Sequence, residues 1–189
     1  MPVKYKSYKK EILPIRILKG IGYGLISEFM CGILVISMIA MGSMWGGSAI
    51  IKVIFGLFTL TVTLGLYFNW SHNAAKLDRD GVSYHNAEFD KYMPVKMAVG
   101  GPIVSIVTYI LLILSKVGVI RDFFNIFLAA NFFSLPFVDC FTSERTVDCL
   151  SVWGILGLGL LVISQCAVVV ITYYVTYKDI DVLKYMYKD

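Results

Sequence analysis

The sequence predicts an all-α membrane protein: a four-helix transmembrane bundle with an outer interfacial helix between spans 3 and 4, five spans being the competing count. Three observations carry this. Four apolar stretches, at about 20–42, 49–69, 97–115 and 152–177, each approach or exceed the ~20 residues that a helix rising ~1.5 Å per residue needs to cross ~30 Å of hydrocarbon. The chain is 58% hydrophobic with a mean hydropathy of +0.74, above the roughly 45–50% apolar content of a soluble domain. Nearly all charges fall between the stretches. In 189 residues, four spans leave no segment long enough for a separate soluble core, so a single transmembrane domain, 1–189, is expected.

Charge placement orients the bundle. Lys4, Lys6, Lys9, Lys10, Arg16 and Lys19 precede the first span, Lys76, Arg79, Lys91 and Lys96 follow the second, and Lys178, Lys184 and Lys188 follow the last. These thirteen face only Lys52, Lys116, Arg121 and Arg145 on the other side, which puts both termini and loop 70–96 in the cytoplasm of a cell (plasma) membrane. The net charge of +4 is thereby spent on orientation, and no nucleic-acid partner is implied.

Residues 1–19 form a basic cytoplasmic tail, read either as a short helix on the inner leaflet or as a mobile tail, with Pro14 interrupting the pattern. A signal peptide ending at Ala40-Met41-Gly42 competes with an anchor. The apolar run is longer than the ~7–15 residues of a signal core, which favours the anchor. Gly20-x-x-x-Gly24 sets small residues on one face of the first span for close helix approach. Met44–Ser48, with Trp45 suited to the interfacial aromatic belt, makes an outer turn into the second span. There Thr59, Thr61 and Thr63 alternate as in a strand, yet an isolated strand in lipid leaves its backbone unsatisfied, so the segment reads as helix.

The third span opens at Gly100-Gly101-Pro102, a kink signal. The outer segment 116–151 contains 119–138, apolar and aromatic but carrying Arg121, Asp122, Asn125, Asn131 and Pro136. Two readings compete. As an interfacial helix it lays six phenylalanines near the outer headgroups; as a fifth span it lowers the basic tally to eleven against six. Cys140 and Cys149 flank a polar loop and are candidates for a disulfide, the alternative being two thiols; Cys31 and Cys166 sit within apolar spans as small hydrophobes. The last span ends on Tyr173, Tyr174 and Tyr177, a second aromatic belt, before Lys178.

Two places hold candidate chemistry. Glu28 is the acidic residue well inside a span, about eight residues from its cytoplasmic end, and an ionisable group there needs a reason. It reads either as a proton or cation site facing Thr61 or Thr63, Ser105 and Tyr173, or as an acid that is protonated and bonded to its neighbours or that reaches an interfacial lysine. The loop 70–96 holds His72, His85, Asp78, Asp80, Glu88 and Asp90, types that can bind a metal or form an acid–base pair. No tight ligand spacing accompanies them, and aligning Gly81 to the turn of an EF-hand puts Lys76 and Ala87 at the first and last acidic positions. No metal or cofactor is expected. The competing reading is a charged hairpin whose Asp80-Gly81 turn separates a helical continuation of span two from a second amphipathic segment.

Three blocks, DRDGVSYHNAEFDKYMPVK (78–96), RDFFNIFLAANFFSLPF (121–137) and YKDIDVLKYMYK (177–188), together resemble an uncharacterised family of small bacterial (Firmicute-type) four-span membrane proteins. The chain departs from that pattern at 174–176, where Tyr-Val-Thr replaces an expected glycine before Tyr177, and in the position of His85. The resemblance implies topology and a bacterial plasma membrane, and no mechanism.

Three functions are consistent with these residues. The first is a nonenzymatic accessory or interaction subunit using the cytoplasmic loop as its protein-partner surface. The second is a transporter or channel subunit using Glu28. The third is a membrane-embedded enzyme using the 70–96 loop. Small-residue helix faces, a single buried acid and the lack of catalytic spacing favour the first. The expected partners are the lipid bilayer, a protein and a second copy of the chain.

Overall fold

The computed structural model describes residues 11–45, 49–85, 88–141 and 146–178, side chains at 41–45, 49, 85 and 139–141 excepted. Among these residues the protein is all helix: α1 (Leu13–Trp45), α2 (Ala49–His85), α3 (Met93–Gly100), α4 (Ile103–Lys116), α5 (Phe124–Ala130), α6 (Leu135–Phe141) and α7 (Val152–Tyr177), with 3-10 turns at Phe132–Ser134 and Val147–Cys149. Three helices are long and apolar enough to cross a membrane; α3 and α4 pass the same test only together, as a pair bent by 60°.

The long helices are apolar nearly all round, as expected of helices that face lipid outside and neighbours inside. Outer faces carry Leu25, Phe29 and Ile36 on α1 and Trp153, Leu160 and Ile171 on α7, all exposed. An apolar surface of this extent is not that of a water-soluble monomer. The Trp45 side chain and the turn at 46–48 lie outside the described residues.

Inside, α1 and α2 run antiparallel in constant register: Ser27 Oγ donates to Thr63 Oγ1 at 2.8 Å, and Cys31 Sγ donates to the Thr59 carbonyl at 3.5 Å. Thr59 and Thr63 thus serve as interhelical and back-bonded hydroxyls of a helix. The Gly20 face packs as anticipated. An added Cβ at Gly20 would come within 2.6 Å of the Trp70 ring, and one at Gly101 within 2.5 Å of the same ring. The α3–α4 bend sits at this crowded point, where Pro102 supplies no N–H to continue the ladder.

Two differences from the sequence reading matter for function. Span two continues as helix beyond residue 69, as the hairpin reading has it, but the turn expected at Asp80-Gly81 is absent: α2 runs through to His85, because tertiary bonds from Ser71, His72 and Asp78 hold that stretch against α7 and α1. The segment 119–138 does not lie over the bundle as one interfacial helix. It enters the bundle as a hairpin, with Phe124, Phe127 and Phe133 fully buried. Helix α5 descends beside α4, the 3-10 turn reaches the level of Glu28 and Thr59, and α6 returns along α2 with Phe137 against Gly56. Three buried rings gain more from this packing than from headgroup contact. Neither α5 nor α6 is long enough to cross a bilayer alone.

Candidate functional site

Glu28 stands fifteen residues from the start of α1 and seventeen from its end, about 22 Å and 25 Å along the helix. The start of α1 at Leu13, rather than near Gly20, puts this residue at the middle of the helix. The hairpin explains part of the acid's presence. A helix start leaves backbone N–H groups without acceptors, and the Phe133 N–H points to Glu28 Oε2 at 3.4 Å. The carboxylate thereby terminates the turn from outside, as an N-cap does from within the chain. Thr59 Oγ1 donates to the Phe133 carbonyl at 2.8 Å, and Asn131 Nδ2 donates to Thr108 Oγ1 at 2.9 Å. Irregular backbone at this depth is therefore bonded to three surrounding helices, the condition under which it is tolerated in a membrane.

Glu28 also lines a cavity of about 250 Å³ with Ile21, Gly24, Tyr67, Gly101 and Ser105. Its remaining wall is Leu25, Val104, Ala129 and Ala130, of which the first three are exposed on the outside of the bundle. The cavity thus opens sideways between α1, α4 and α5. Of the neighbours expected for Glu28, Ser105 is present. Thr63 is bonded to Ser27, Thr61 is exposed with its hydroxyl returned to Leu57, and Tyr173 is engaged elsewhere.

No protein-family model, curated protein or solved structure matches this chain. What the site can do is therefore read from its own geometry.

The second polar centre joins α1, α2 and α7. Arg16 Nη1 and Nη2 donate to the two oxygens of Asp78, each at 2.5 Å, and the Tyr173 hydroxyl donates to Asp78 Oδ2. Arg16 is 1% exposed, so a charge counted as part of a basic tail is a buried structural cation. Its position among Leu13, Ile15, Ile17 and Leu18 was the available signal, since an arginine in an apolar helical turn requires a partner. Around it, His72 Nδ1 shares a hydrogen bond with Thr176 Oγ1 at 3.0 Å, Ser71 Oγ donates to the Val169 carbonyl, and Phe89 stacks on Tyr177 at 4.0 Å.

The loop candidates are dispersed by this arrangement. Asp78 is committed to Arg16, His72 to α7, Asp80 approaches Arg79 at 4.0 Å and Glu88 is exposed. The His85 side chain lies outside the described residues, and so does that of Cys140, the proposed partner of the exposed Cys149. Among the described residues no three His, Cys, Asp or Glu side chains gather as metal ligands. Gln165, midway along α7, is buried with neither amide atom bonded, a polar group that sequence reading passed over.

Proposed function

We propose that this chain is a four-crossing protein of the bacterial cell membrane, with both termini cytoplasmic, that acts as a nonenzymatic accessory subunit and engages its partner or ligand within the bilayer through the Glu28 cavity. The bent α3–α4 pair supplies the fourth crossing, and the 124–141 hairpin enters from the opposite side to the termini without crossing. The observation that carries the reading is the sideways opening of the cavity past Leu25, Val104 and Ala129. An acid presented toward the lipid-facing surface is available to something already in the membrane. The cytoplasmic loop, by contrast, has little left to offer, because α2 absorbs residues 70–85 and Asp78 is internally paired. A photo-crosslinking residue placed at Leu25 or at the exposed Tyr92 in expressing cells tests this. Adducts from position 25 are expected; adducts from position 92 alone return the partner surface to the loop.

A transporter or channel subunit is the second reading, and one observation favours it: the hairpin brings a helix break at Asn131 and a 3-10 turn to the level of Glu28. Proteoliposomes that pass protons or cations with the wild-type chain, and not with Glu28→Gln, would establish it.

A further inference from the structure

We infer that the Glu28 cavity takes the ammonium group of a membrane-borne amine, the hydrocarbon of the ligand passing out between Leu25, Val104 and Ala129; this deepens the intramembrane binding reading above and rests on it. The cavity contains one carboxylate and two hydroxyls, Tyr67 and Ser105, against walls of Ile21, Leu25 and Val104. Glu28 receives the Phe133 N–H and, beside it, the Phe132 N–H, and no lysine or arginine is paired with it among the described residues. A carboxylate has about four lone-pair sites, so acceptor capacity remains facing the cavity. Neutral oxygens from Tyr67 and Ser105 complete a set of acceptors suited to the three N–H bonds of an alkylammonium.

Size and access narrow the class. At about 250 Å³ the space lies just below the ~300–1,000 Å³ of sites that enclose a drug-sized molecule, so it accommodates a head group and its first few carbons. Small residues Gly24 and Ala130 border that space, and Gly101 beside them seats the Trp70 ring. The exposed rim faces what we read as lipid, so the ligand arrives by partitioning into the bilayer. A fatty acid is opposed by like charge at Glu28, and an alcohol lacks the charge that distinguishes this cavity from any apolar groove.

The test uses full-length protein in nanodiscs of zwitterionic lipid, with radiolabelled n-octylamine, n-octanol and n-octanoate, empty discs being subtracted. Octylamine is expected to bind at least about tenfold more tightly than octanol, with octanoate weakest. Glu28→Gln should abolish the amine preference. Because that change also weakens the hairpin anchor, Val104→Phe at the lipid-exposed rim is the second variant; it leaves Glu28 untouched and should block all entry. Equal binding of amine and alcohol, both lost in Val104→Phe, overturns the amine assignment and leaves the cavity as a binding site. Binding of none of the three overturns both readings.

Discussion

Arg16 and Asp78, 62 residues apart, form a bidentate ion pair with both N–O distances at 2.5 Å, and the Tyr173 hydroxyl closes on the same carboxylate. One carboxylate thus fastens α1, α2 and α7 at a single point. Planar guanidinium and carboxylate match two bonds to two oxygens, a geometry a lysine cannot reproduce.

Asp78→Asn leaves the Arg16 charge buried without its counter-ion. A loss of about 3–5 kcal/mol is expected, the range for breaking one side of a buried pair. Replacing both residues, as Arg16→Met with Asp78→Leu, should cost less than either single change, and Tyr173→Phe about 1 kcal/mol. Thermal unfolding in detergent across the double-mutant cycle measures the coupling. Additive singles would remove the claim that the pair acts as a unit.

Two glycines on α1 respond oppositely to the same substitution. At Gly20 an added Cβ meets the Trp70 ring at 2.6 Å and the Gly101 Cα at 2.9 Å, whereas at Gly22 nothing lies within 4 Å. Gly20→Ala is therefore expected to cost about 1–3 kcal/mol by overpacking. Gly22→Ala should be neutral or stabilising by up to about 1 kcal/mol, from helix propensity alone. Similar unfolding temperatures for the two variants would show that Trp70 moves aside freely.

The apolar runs and the Gly101-Pro102 break were legible in the sequence because length in lipid and the missing proline N–H act locally. Helix α2 was not, since Asp80-Gly81 is a sound local turn signal and only the pairing of Asp78 with Arg16, distant in the chain, overrides it. Burial of Arg16 was hidden for the same reason. For the hairpin, the residues that break the helix were visible, Asn131 and Pro136 among them. Depth was not, because apolar composition is the same for a segment lying on a bundle and one inserted in it. Glu28 was legible as an acid inside an apolar run, yet its partners are backbone N–H groups, which no side-chain pattern announces.

The hairpin makes a topological prediction. Lys116 Nζ donates to the Val147 carbonyl at 3.0 Å, so the ends of the 117–146 excursion lie together. In a cysteine-free background, cysteines at the exposed Asp122 and Thr146 should label with a membrane-impermeant reagent from one face, and one at the exposed Lys178 from the other. Labelling of 122 and 146 from opposite faces requires a fifth crossing.

Thr59 and Glu28 hold the hairpin tip from two helices, one through the carbonyl and one through the N–H of the same residue, Phe133. Their removal differs in kind. Thr59→Val deletes a donor to a carbonyl that has a second lone pair, and should cost about 1 kcal/mol. Glu28→Leu leaves the N–H with no acceptor in an apolar surround, an expected loss of about 1–3 kcal/mol. Glu28→Gln retains an oxygen acceptor and should fall between wild type and Glu28→Leu. Hydrogen exchange at the Phe133 amide, followed by mass spectrometry of the hairpin peptide, reads the anchor directly. Exchange should quicken most in Glu28→Leu and least in Thr59→Val; an unchanged rate in Glu28→Leu would mean that packing of Phe124, Phe127 and Phe133 holds the hairpin without the acid.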